Sequence, residues 1–189
     1  MVNRISQEYK SLLTQMHKTR PDWGKSGLRF LDDIQAIIEG YKPVSILDYG
    51  CGKGALVSQI NQRFPHIVTD LYDPGVPEFD YDPFPADFVI CTDVLEHIEP
   101  DLIENVVEHL AELSQVVCYM VIHTGDCGHK LPDGSPAHIL QQPQGWWMDL
   151  IDEKFNKAGF SCLYQSTELP MRFKVIASLE VYDNAVTKH

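Results

Sequence analysis

Asp48-Tyr-Gly50-Cys51-Gly52-Lys-Gly54 places glycine at every second position, beginning two residues after a carboxylate. Such a run lets the main chain turn tightly and brings backbone N–H groups within reach of a ligand. Asp48 has the charge to hold a cationic amine. Asp73, which closes the next apolar segment, can accept hydrogen bonds from sugar hydroxyls. A second group, Thr92-Asp93-Val-Leu-Glu96-His97, joins two carboxylates to an imidazole whose unperturbed pKa of about 6.5 suits proton transfer. Acids there also serve simply as helix-start residues, worth about 0.3–1 kcal/mol through the helix dipole. A third group lies in the polar stretch at residues 124–142, where Asp126, His129 and His138 follow His123 and precede Trp146-Trp147. No Cys/His pair has zinc-ligand spacing.

The elements that must carry these groups follow from periodicity. Residues 5–18 and 28–38 have apolar side chains at helical spacing, the second stretch closed by Gly40 and Pro43. From residue 44 onward short apolar strands alternate with helices. Strands are expected at 44–48, 67–72, 88–91 and 116–122, with helices at 55–63, 101–113 and 143–159. The unbroken run at 116–122 fits a central strand covered on both faces. Two final strands, 161–167 and 172–182, are joined by a turn at Pro170, too short for a parallel connection. This alternation predicts an α/β, doubly wound, mainly parallel sheet with a reversed C-terminal strand and an N-terminal helical cap. Ligands of that architecture bind beyond the carboxyl ends of the strands at the switch point, so the turns after Asp48, Tyr72, Cys91 and Ile122 are the expected site.

Composition narrows the function. The 189 residues suit one domain over 1–189, with a cap or lid at 1–43 and an α/β core at 44–182. Fifteen basic residues against 27 acidic give a net charge of −12, which disfavours nucleic acid and anionic membranes as partners. No apolar run reaches the roughly 20 residues of a membrane span, and no signal-peptide pattern opens the chain. Five cysteines without a CxxC read as reduced thiols, so a cytoplasmic protein is expected.

The segments Ile46–Gly54, Tyr72-Asp-Pro74 and Asp87–Ile98, taken in order, resemble the motifs of class I S-adenosylmethionine-dependent methyltransferases, and the likeness covers residues 44–182. It implies S-adenosylmethionine as cofactor. Asp48 and the Gly50, Cys51, Gly52 and Gly54 turn would hold its methionine end, Asp73 its ribose, with Thr92 and Asp93 beside it. His97 would orient the acceptor or take its proton, with His138 and His123 behind it. Trp23, Glu96, Asp126 and Trp146 are candidates for touching a small-molecule or sugar- or lipid-linked acceptor. The sequence departs from the family's seven-stranded sheet between the second and fourth strands. Only the 14 residues Asp73–Ala86 stand where a helix, a strand and a turn usually fit, leaving Asp80 or Asp82 for the adenine side.

Two alternatives keep the cofactor. Asp93, Glu96 and His97 with His123, His129 or His138 resemble the metal-holding set of small-RNA 3′-terminal ribose 2′-O-methyltransferases, although that family has Glu at the first position and a second, closely spaced histidine. On the principal reading no metal is expected. The other alternative is a binding protein that keeps the pocket and lacks transfer. A nicotinamide dehydrogenase is disfavoured, because the glycine spacing is not G-x-G-x-x-G.

Overall fold

The computed structural model describes residues 2–179. The last expected strand, drawn to Tyr182, and the outer bounds of the domain at 182 and 189 extend past the described residues.

Helix α1 (Gln7–Thr19) starts on Ser6, whose hydroxyl accepts the Tyr9 N–H. A 3-10 turn, Ser26–Phe30, leads into α2 (Leu31–Tyr41). Gly40 does not stop α2, as the sequence suggested. The helix runs one residue past it and ends where Lys42 adopts a left-handed conformation (φ 52°) before Pro43. There follow β1 (Ser45–Tyr49), α3 (Ala55–Arg63), β2 (Val68–Tyr72), β3 (Ala86–Thr92), α4 (Ile103–Leu113), β4 (Ser114–His123), α5 (Gln144–Lys157), β5 (Phe160–Ser166) and β6 (Arg172–Leu179).

The six strands run in the order β2-β1-β3-β4-β6-β5. β1, β2, β3 and β4 pair in parallel, and β6 is antiparallel to both β4 and β5. The abbreviated segment after β2 contributes no strand, only a 3-10 turn at Pro77–Phe79. Chain order reverses between β1 and β3, so the switch point falls at the carboxyl ends that carry Asp48 and Thr92.

Side chains two apart on one strand share a face. Leu47, Val89, Cys91, Cys118, Met120 and Ile122 pack against α4 and α5 through Val107, Leu110, Trp147 and Phe155. Their neighbours Ile46, Phe88, Ile90, Val117, Tyr119 and Val121 pack against α2 and α3 through Ile34, Ile38, Leu56 and Ile60. A smaller cluster joins Tyr9 and Met16 of α1 to Leu131 and Ala137 of the long loop after β4. That cluster seats α1 as the cap. No helix of the described residues is long and apolar enough to cross a membrane.

Candidate active site

A cavity of about 530 Å³ opens beyond the carboxyl ends of β1, β3 and β4, within the usual size of small-molecule sites. Of the residues singled out from the sequence, Asp48, Gly50, Cys51, Thr92, Asp93, His97, His123, His138, Trp23 and Asp126 line it. Gly52, Gly54, Asp73, Glu96 and Trp146 do not. Adjacent helical residues point about 100° apart; Trp147 is fully buried on α5, which turns Trp146 outward.

The glycine turn is built differently from a cradle of free N–H groups. Gly50 and Cys51 both donate to Tyr72 O, at 2.7 and 3.1 Å, Gly52 donates to Asp73 Oδ2 at 2.8 Å, and Gly54 to Cys51 O. Its glycines are required by backbone shape and by packing. All three have positive φ, and a Cβ at Gly52 would lie 2.5 Å from Gly24 O. The residues before α2 therefore rest directly on the turn.

Asp48 is nearly buried and forms no ion pair among the described residues. Burial, then the Asp73 carboxylate, pushes its pKa up to about 7. Asp73 lies outside the main cavity. It lines a separate space of about 80 Å³ with His17 and Leu13 of α1, and its second oxygen accepts the Gly75 N–H at 2.8 Å. Asp80 and Asp82 are also engaged by the cap, pairing with Lys10 and Arg4 respectively.

Past β3 the chain enters a 3-10 turn, Leu95–His97, with Asp93 held at φ 54°. Asp93 Oδ1 accepts from Arg172 Nε at 2.9 Å, while Oδ2 is buried and unpartnered. Glu96 is fully buried; one oxygen accepts the His123 N–H at 3.2 Å and the other has no partner. Burial, then Asp93, raises its pKa well above the carboxylate range. His97 shows one face to the cavity and is otherwise enclosed. Its pKa is lowered to about 3 by burial and then by His138. His97 Nδ1 lies 2.7 Å from Ala137 O and His138 Nδ1 lies 2.6 Å from Gly125 O. A carbonyl oxygen only accepts, so both rings carry the proton on Nδ1 and keep a lone pair on Nε2. The His97 and His123 rings stand 4.7 and 4.8 Å from His138, and Trp23 covers the group edge-on, 5.4 Å from His97.

Arg172 is a cavity residue that escaped the sequence reading. Arg172 starts β6 opposite His123, a register set by strand pairing that no local pattern announces. His129, named from the sequence only as one option in the metal-holding alternative, lines the cavity with its ring 5.9 Å from that of Trp23.

No curated protein sequence matches the chain. Solved structures resemble it in fold. An O-methyltransferase family protein from Burkholderia thailandensis aligns at TM-score 0.62 and 14% identity over 90% of this chain and 59% of its own. The methyltransferase domain of bacterial CtHen1-CN aligns at 0.60 and 14% identity over 79% of this chain and 97% of its own. Human N-acetylserotonin methyltransferase, solved with S-adenosylmethionine, aligns at 0.56 and 14% identity over 90% of this chain and 57% of its own. The chain thus spans less than two thirds of the Burkholderia and human proteins. A family model, the methyltransferase domain, matches residues 7–174, and the chain belongs to that family.

Proposed function

We propose that this chain is an S-adenosylmethionine-dependent methyltransferase acting on a hydroxyl oxygen of a small-molecule acceptor, free or linked to a sugar or lipid. The observation that carries the reading is Asp48, a buried carboxylate without an ion pair among the described residues, which shares its cavity with His97, His123 and His138. It suits the methionine ammonium, so the methionine end of the cofactor fits the residues present. The ribose end fits once His17, 3.8 Å from Asp73, yields its place. An oxygen acceptor is favoured by the O-methyltransferase among the structural relatives.

Bound S-adenosylmethionine supplies a methyl carbon already made electrophilic by its sulfonium. The chain's own residues contribute proximity and alignment. Asp48 anchors the ammonium, and Trp23 with the loop after β4 encloses the acceptor. Held at Asp48 and the Gly50–Cys51 turn, the cofactor would supply the methyl group and keep the carbon–sulfur electron pair as a neutral thioether. The hydroxyl proton passes to a histidine Nε2, His97 first among the three.

A second reading is favoured by the likeness to the CtHen1-CN domain and by the meeting of Glu96, His97 and His138: transfer to an RNA ribose 2′-hydroxyl. The net charge of −12 weighs against it. Incubation with methyl-labelled S-adenosylmethionine, a fractionated pool of hydroxylated metabolites and an RNA with a free 3′-terminal diol separates the two. Label on a metabolite hydroxyl supports the proposal, and label on the RNA alone replaces it with the second reading. Binding of S-adenosylhomocysteine with label on neither points to a cofactor-binding protein. With an acceptor in hand, His97→Ala lowers turnover by about 100-fold and leaves S-adenosylhomocysteine affinity unchanged.

A further inference from the structure

Glu96, His97 and His138 come from two separate stretches of chain, the 3-10 turn after β3 and the long loop before α5. They still bring one carboxylate oxygen and two ring nitrogens within 4.8 Å of one another. Three features are costly for a plain core. The Glu96 carboxylate is fully buried, one of its oxygens has no partner, and its nearest cationic candidate, His138 Nε2, stands 3.9 Å away without a hydrogen bond. An unpartnered buried carboxylate oxygen is strongly unfavourable unless a proton or a cation completes it.

The histidines are set up for the cation. Each donates Nδ1–H to a backbone carbonyl, Ala137 O or Gly125 O. This is the arrangement that fixes a ligand histidine and directs its Nε2 lone pair at a metal. Glu96 is also positioned from outside the cluster, by the N–H of His123 at the end of β4.

Against the expectation of no metal, we infer that Glu96, His97 Nε2 and His138 Nε2 bind a divalent transition-metal cation, with the remaining coordination positions facing the cavity. Two imidazoles and one carboxylate select manganese, iron, cobalt or zinc over magnesium, which prefers an all-oxygen shell and retains its waters. His97 and His138 border the cavity, so an acceptor oxygen can complete the shell. That last role rests on the methyl-transfer reading; the metal site itself does not. With the cation in place both Nε2 atoms are occupied, and the acceptor proton falls to His123, whose ring packs on His138.

The test uses the full chain, stripped with a chelator and titrated with cobalt(II) under visible absorption. The expected result is one equivalent bound with ligand-field bands, displaced by zinc and not by magnesium. Glu96→Gln and His138→Ala weaken binding by on the order of 100-fold or more, with circular dichroism and S-adenosylhomocysteine affinity retained. His123→Ala binds cobalt as the wild type does. Should the variants fail to fold, proton NMR of the wild-type cobalt protein decides. Two exchangeable, paramagnetically shifted signals are expected from the Nδ1–H groups facing Ala137 and Gly125. Absence of stoichiometric cobalt, uptake unchanged in Glu96→Gln and His138→Ala, or no shifted exchangeable signals would overturn the inference. Because S-adenosylhomocysteine binding is read separately, failure of the metal site is distinguishable from failure of the methyltransferase reading.

Discussion

Arg172 and Asp93 lie 79 residues apart and meet at 2.9 Å, tying the start of β6 to the end of β3 across β4. Both side chains are largely buried, at 14% and 7% exposure. The pair holds Asp93 in a left-handed conformation that L residues other than Asn and Asp seldom adopt. Its guanidinium also offsets the charges of Glu96 and Asp93.

Removing that guanidinium leaves a buried carboxylate with neither partner. Arg172→Ala is expected to cost about 3 kcal/mol in chemical denaturation. Arg172→Ala with Asp93→Asn recovers a substantial share, since no lone charge remains buried. Equal losses in the single and double variants would show that the pair adds nothing beyond packing.

Asp48 makes stability and cofactor binding depend on pH in opposite senses. Its folded pKa of about 7 lies above the ordinary 3.8 because burial disfavours the charged form. The folded state therefore retains a proton that the unfolded state releases. Its contribution to stability is fully present below about pH 4 and is lost as pH rises through 7. Asp73, raised to about 6 by burial, acts in the same direction. The ligand-free melting temperature should fall from pH 5 to pH 8, less steeply in Asp48→Asn. Affinity for S-adenosylhomocysteine should rise over the same interval, as ionised Asp48 gains the ammonium. Parallel pH trends for melting and binding would contradict this.

The cap sits on the expected sugar and adenine side. Arg4 pairs with Asp82 at 3.0 Å and Lys10 with Asp80, while Ser6 N–H donates to Glu99. On the proposed ribose role of Asp73, which lies against His17 and Leu13, ligand entry there would require α1 to give way. Arg4→Ala with Lys10→Ala should speed S-adenosylhomocysteine association in stopped-flow fluorescence and raise hydrogen exchange within α1. Unchanged association with faster exchange would mean that α1 does not limit access. Each exposed ion pair contributes on the order of 0.2–1 kcal/mol, so global stability should change little.

The strands and their order of use were legible because the sheet is covered on both faces. Continuous apolar runs such as Val116–Ile122 have no other stable place. The turn at Pro170 revealed the reversed last strand, since five residues cannot make a crossover. Asp48 and His97 were legible because they lie in local motifs beside strand ends. What stayed hidden depends on distance in the chain. Nothing near Arg172 marks it as Asp93's partner, and the sequence left open which of His123, His129 and His138 meets Glu96. The glycine spacing suggested free amides, yet Tyr72 O, Asp73 and Cys51 O take them. Gly40 suggested a helix end, but glycine is only mildly unfavourable in a helix, and α2 continues to Tyr41.

On the proposed function, Asp48 and its cavity hold S-adenosylmethionine. Calorimetric titration with S-adenosylhomocysteine at pH 8, with Asp48→Asn alongside and NAD as competitor, puts this to the test. One site in the micromolar range is expected, insensitive to NAD and weakened at least tenfold in a folded Asp48→Asn variant, as loss of one charged hydrogen bond implies. Wild-type protein that is folded, free of co-purified ligand and unable to bind would contradict it.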